Sequence, residues 1–150
     1  MVQMRRSILD NTTMRRSNAS LLQPQSANNP GGSILVVDDE PAVCRVTGTM
    51  LEHQGFSVLY AESGEQAMRM FDQYHRQISL LVTDIVMPHI SGPQLAQQLR
   101  AKRPNLPVLF VSGVVSPKTF QGSQDGWMLK KPYTPTTLAA KVWEVLSASV

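Results

Sequence analysis

From residue 33 onward, short wholly apolar runs alternate with stretches whose apolar positions recur every three or four residues. Ile34–Val37, Leu80–Val82 and Val108–Val111 are of the first kind, and such runs bounded by turn residues indicate strands buried on both faces. The pattern predicts strand one over 34–38. A helix starts at Pro41, a favourable first-turn residue, with Val43, Val46, Thr47, Met50 and Leu51 on one face, and Gly55 stops it. Phe56 to Tyr60 is strand two. Ser63 and Gln66 have capping-box spacing, and Ala67, Met70, Phe71 and Tyr74 form the apolar face of the helix that follows. Strand three is expected over 79–83, and Ser91-Gly92-Pro93 opens a helix whose Leu95 and Leu99 point inward. Pro107 introduces strand four, Val108 to Val111, and Trp127 to Leu129 is a short strand five. A last helix covers about 135–147, with Leu138, Val142, Val145 and Leu146 on one side. Strands and helices in strict alternation imply an α/β domain: a five-stranded parallel sheet, right-handed crossovers and helices on both faces.

Composition narrows this to one domain. The chain has 150 residues, of which 42% are hydrophobic, enough for a real core. Residues 1–33 carry four Arg and one Asp, whereas 34–150 carry ten basic and ten acidic residues. The basic excess therefore sits in the N-terminal tail and does not mark a folded nucleic-acid surface. Rich in Asn, Ser, Gln and Pro, residues 1–32 are expected to be a disordered basic leader, and 33–150 the folded domain. Deleting residues 1–31 is expected to leave the thermal midpoint unchanged, and a drop of several degrees would show that the tail packs on the domain. The acid-poor, Arg- and Ser-rich start also suits an organellar transit peptide, and Met1, Met4 and Met14 leave the start position open. No apolar h-region follows Arg5-Arg6 or Arg15-Arg16, which argues against a secretory signal. No apolar stretch approaches the roughly 18 residues of a membrane span. The single cysteine, Cys44, excludes an internal disulfide and points to a reducing compartment, hence the cytoplasm.

The candidate chemistry lies at strand ends. Asp84 ends strand three, and Asp38-Asp39-Glu40 ends strand one. In an open α/β sheet, ligands bind beyond the carboxyl ends of the strands at the topological switch point. Acids delivered there by two strands can build a divalent-cation site around a reactive carboxylate.

Five features in order resemble a response-regulator receiver domain over essentially all of 33–150. They are Asp38-Asp39, Asp84 within T-D-I-V-M-P, Ser91-Gly92, Ser112-Gly113 and Lys131-Pro132-Tyr133. The segments V-L-F-V-S-G, M-L-K-K-P-Y and T-P-T-T-L look most like receivers associated with hybrid histidine kinases. The resemblance implies a flavodoxin-like doubly wound sheet of order 2-1-3-4-5. It implies a single-domain response regulator that accepts a phosphoryl group on Asp84 from a histidine kinase or a phosphotransfer protein in a phosphorelay. Mg²⁺ would be held by Asp38, Asp39, Asp84 and the backbone carbonyl of Val86. Lys131 and Ser112 would contact phosphoryl oxygens, and Lys131-Pro132 would be a cis bond. With no residues after about 147 for an output domain, the chain is expected to signal by binding an output partner, with no direct nucleic-acid contact. It is expected to be a phosphoacceptor that assists its own Mg²⁺-dependent chemistry rather than an enzyme.

Other residues have plainer roles. Lys130 is expected to be solvated or partner-facing, Cys44 packed, and His53, His75 and His89 on the surface. Tyr133 is expected to pack. Met128 stands where many relatives carry an aromatic switch residue. Only 19 positions separate Ser112 from Lys131, and Val115 to Gln121 hold at most two turns, so the fourth helix is expected to be shortened. The resemblance implies that the side chains two places after the nucleophile and two places after the Ser/Thr flank the path of the hydrolytic water; here they are Val86 and Val114, which cannot orient it. Hydrolysis is therefore expected to be slower than in a Val86→Asn variant, and equal phosphate-release rates would overturn this. Two alternatives stand beside the phosphoacceptor: a non-phosphorylated interaction module, which five matching site residues disfavour, and a haloacid-dehalogenase-type phosphatase. The latter needs a second acid two residues after the nucleophile, where this chain has Val86.

Overall fold

A computed structural model describes residues 32–113 and 126–148. In chain order the elements are β1 (Ser33–Val37), α1 (Pro41–His53), β2 (Ser57–Ala61), α2 (Gly64–Tyr74), β3 (Ile78–Asp84), α3 (Gly92–Lys102), β4 (Val108–Ser112), β5 (Trp127–Lys130) and α4 (Pro135–Ala148). The strands form one parallel sheet of order β2-β1-β3-β4-β5, the flavodoxin-like order that the resemblance implied. The expected short helix at Val115–Gln121 lies outside the described residues, among which there are four helices.

Alternation along the strands divides the core in two. Leu35, Val37, Leu81, Val108 and Phe110 face one layer with Ala67 and Phe71 of α2 and Leu95 and Leu99 of α3. Ile34, Val36, Leu80, Val82, Leu109 and Val111 face the other, with Leu51 of α1 and Leu138, Val142 and Val145 of α4. The apolar strand runs are thus explained by burial on both sides.

The face of α1 is rotated from the expected one. Cys44, Thr47, Gly48 and Leu51 are buried at i, i+3, i+4 and i+7, whereas Val46 is 53% exposed. Small residues let the helix approach the sheet, so its contact line runs through Cys44 and Gly48 rather than through the bulkier valine. At its far end Gly55 has φ 97°, a left-handed conformation that glycine adopts without steric cost, and its N–H bonds the Glu52 carbonyl. Ser63 caps α2 by accepting the Gln66 N–H, but Gln66 Oε1 reaches the Glu62 N–H, not that of Ser63. The complete capping box belongs to α3, between Ser91 and Gln94.

Gly92 pinches the β3–α3 loop shut. Its N–H donates to the Ile85 carbonyl at 2.8 Å, and a Cβ there would lie 2.1 Å from the Asp84 carbonyl oxygen. The obstruction is backbone, so it cannot rotate away. Gly92→Ala is expected to cost about 3 kcal/mol, the upper part of the overpacking range. Urea unfolding would measure it, and an unchanged midpoint would show that the loop yields freely.

Candidate functional site

The carboxyl ends of β1 and β3, neighbours at the point where the strand order reverses, bring three acids together. Asp38 directly follows β1, and its N–H donates to the Ala61 carbonyl at 3.2 Å. Its side chain is buried, and its Oδ1 accepts the Glu40 N–H at 3.0 Å. α1 starts immediately afterwards at Pro41, which fixes the direction in which the chain leaves the site. Asp84 ends β3, and its Oδ1 accepts the Ile85 N–H at 2.8 Å. One carboxylate oxygen from each of Asp38, Asp39 and Asp84 lies within 4.8 Å of the others.

Lys131 enters from the turn after β5. Its N–H donates to the Ser112 carbonyl at 2.9 Å, which ties the turn to the end of β4. Its Nζ donates to Asp38 Oδ2 at 3.0 Å and lies 3.9 Å from Asp84 Oδ2. The Lys131-Pro132 peptide is cis, as the resemblance implied.

These groups perturb one another. Burial pushes the Asp84 carboxyl above the usual carboxylate range, and the charges of Asp38 and Asp39 add to this against the opposing pull of Lys131 and the Ile85 N–H. For Lys131, burial works against the charged form, but the hydrogen bond and charge of Asp38, followed by the charge of Asp84, outweigh it and hold the ammonium above its ordinary pKa. The cluster therefore favours added positive charge. Its all-oxygen donor set suits a hard divalent cation, which takes carboxylates and carbonyls and retains waters.

The remaining expected site residues are placed less directly. Ser112 is buried at the end of β4, one residue past Val111, the register partner of Asp84. Val86 lies two residues beyond Asp84 and is 66% exposed. Val114 lies outside the described residues. Lys130, the register partner of Ser112, is exposed and points away from a structural role. Met128 is half-buried and packs against the core layer that contains Phe110. His53, His75 and His89 are exposed, and His89 has φ 70°, a left-handed conformation in the loop after Asp84. Cys44 is buried, its Sγ 3.4 Å from the Ala61 carbonyl oxygen, and burial followed by the charge of Asp38 pushes its thiol pKa up. It is packed, as expected.

One polar pair was not anticipated. Thr47, expected to be merely part of an apolar helix face, has its Oγ1 2.7 Å from the Tyr133 hydroxyl. The signal available was a hydroxyl residue inside an apolar stripe, together with a phenol following the Lys-Pro step. Nothing in local spacing joins positions 86 residues apart.

Comparison with known proteins agrees with this geometry. Residues 34–142 match the family model for the response regulator receiver domain. The sensor kinase CckA of Brucella abortus is 31% identical over 127 residues, which cover 81% of this chain and 13% of that protein. The probable transcriptional regulator ycf27 of Porphyridium aerugineum is 32% identical over 117 residues, 75% of this chain and 47% of the relative. The chain thus spans less than half the length of either. Among solved structures, the receiver domain of the hybrid histidine kinase CckA is 36% identical, with a TM-score of 0.66 over 77% of this chain and 99% of that one. A response regulator receiver protein from Sinorhizobium medicae is 30% identical, with a TM-score of 0.71 over 80% of this chain and 98% of the other. Among the described residues, no helix is long and apolar enough to cross a membrane.

Proposed function

The chain belongs to the response-regulator receiver family, and we propose that it accepts a phosphoryl group on Asp84 from a phosphohistidine of a kinase or phosphotransfer protein. The observation that carries this reading is the clustering of the Asp38, Asp39 and Asp84 carboxylates, with the Lys131 ammonium 3.0 Å from Asp38 and 3.9 Å from Asp84.

An oxygen of Asp84 attacks phosphorus, the P–N bond to the imidazole breaks as the P–O bond forms, and the imidazole leaves with the electron pair. Such transfers pass through a loose transition state with charge spread over the phosphoryl oxygens, so positioning and charge neutralisation dominate catalysis. Asp38, Asp39, Asp84 and the Val86 carbonyl would hold Mg²⁺, which would supply positive charge to those oxygens. Lys131 turns its ammonium from the carboxylates to a phosphoryl oxygen and offsets the charge that Asp84 gains. The Ser112 hydroxyl donates to another oxygen once the group is attached. The product then signals through a protein partner, in a reducing, cytoplasmic setting consistent with one buried free thiol.

Incubation with labelled acetyl phosphate tests the reading. Label is expected with Mg²⁺ and is expected to vanish in excess chelator. Absence of label under both conditions would leave only a non-phosphorylated interaction module.

A further inference from the structure

The turn that carries Lys131 is held at two points. One is the Lys131 N–H on the Ser112 carbonyl, at 2.9 Å. The second is the hydrogen bond between the Tyr133 hydroxyl and Thr47 Oγ1, 2.7 Å long. Thr47 is only 3% exposed, within the buried face of α1. The ring of Tyr133 packs against the same core layer as Cys44 and Leu51. Burying a hydroxyl is costly unless it is bonded, and an apolar pair of the same shapes, Val with Phe, would fill this space with no such cost. Packing alone therefore does not account for Thr47 with Tyr133.

The location suggests what does. α1 begins directly after Asp38 and Asp39, so one rigid helix carries the acids at its start and the Thr47 anchor in its second turn. The Lys131 Nζ returns to Asp38, which closes a ring through Asp38, α1, Thr47, Tyr133 and Lys131. Lysine has a long flexible stem, so the reach of its ammonium depends on where its backbone is held. Without the Thr47 bond, the turn would keep the Lys131 N–H bond and the Tyr133 ring packing but lose its polar tie to α1.

We propose that Thr47 and Tyr133 are positioning residues whose hydrogen bond fixes the Lys131 turn against α1 and so aims the lysine at the phosphoryl group. This rests on the phosphoacceptor reading above and adds to it a device outside the acidic cluster.

Three variants separate positioning from packing. Tyr133→Phe leaves the buried Thr47 hydroxyl without its partner, and its thermal midpoint is expected to fall by about 5 °C. Thr47→Val leaves a half-exposed phenol that water can satisfy, and a smaller fall is expected. The double variant removes both hydroxyls, and its midpoint is expected to recover to within about 2 °C of the parent. Labelling from acetyl phosphate at saturating Mg²⁺ is expected to slow roughly tenfold in all three, with Mg²⁺ affinity within about twofold of the parent. Hydrogen exchange at the Lys131 amide is expected to quicken in all three. A double variant that regains the parent's labelling rate along with its stability would overturn the proposal, because a packing role predicts that. Unchanged exchange at Lys131 would also overturn it. A parent chain that takes no label would sink the phosphoacceptor reading and this inference together, an outcome distinguished by needing no variant.

Discussion

Asp84→Asn should take no detectable label from acetyl phosphate, and in metal-free buffer it should unfold at a higher temperature than the parent. The first effect follows because an amide oxygen cannot form the acyl phosphate that the carboxylate forms. The second follows from the electrostatics of the cluster. Burial, with the charges of Asp38 and Asp39, raises the folded-state pKa of Asp84 above its unfolded value. The folded protein then holds the proton more tightly than the unfolded chain. Stability falls as pH rises through the window between the two values and stays lower above it. At neutral pH the ionised Asp84 is a net cost to the metal-free fold, which asparagine removes. Thermal melts of parent and variant in metal-free buffer would show this as a higher midpoint for the variant. Under the proposed function the folded cluster would hold Mg²⁺, so added Mg²⁺ should stabilise the parent more than the variant. Full labelling of the variant would move the acceptor elsewhere. A lower metal-free midpoint would mean that the ion pair with Lys131 outweighs the repulsion.

Lys131→Ala should have the second-largest effect. It removes the ammonium that contacts both Asp38 and Asp84, so Asp38, 3% exposed, loses its cation. Breaking a fully buried pair costs roughly 3–5 kcal/mol, and the 23% exposure of the lysine side chain reduces this to about 2. Mg²⁺ should bind somewhat more tightly, because a competing charge is gone, and should restore part of the stability. Labelling should nonetheless slow by about 10²–10³, the usual effect of removing one group that stabilises transition-state charge. Lys130→Ala should change none of these, since Lys130 is exposed at the end of β5. Urea midpoints, a Mg²⁺ titration and labelling rates on both variants would check this. A defective Lys130 variant would shift the lysine assignment by one residue.

Much of this arrangement was legible because strands buried on both faces write themselves as unbroken apolar runs. The runs at 34–37, 80–82 and 108–111 therefore located β1, β3 and β4, and the acids that abut them located the site. The face of α1 was less legible. Counting apolar positions selected Val46, whereas the helix touches the sheet through Cys44 and Gly48, whose value lies in being small. Capping was also ambiguous: Ser63 and Ser91 are each followed three residues later by Gln, yet only the second pair closes a reciprocal box. The site's cross-links were illegible for another reason. The bond from Lys131 to Asp38 spans 93 positions, and the bond from Thr47 to Tyr133 spans 86. Such pairs exist only once the sheet has assembled.

That long span has a consequence for folding. The acids stand beside β1 and β3, at the centre of the sheet, but the lysine follows β5, a four-residue strand at its edge. Central strands open only with the whole domain, whereas short edges open locally at much lower free energy. Local opening of that edge would withdraw the lysine while the strands that carry the three carboxylates stay paired. Under the proposed function, such an opening would suspend phosphoryl acceptance before cation binding and reserve the former for molecules whose last strand is in place.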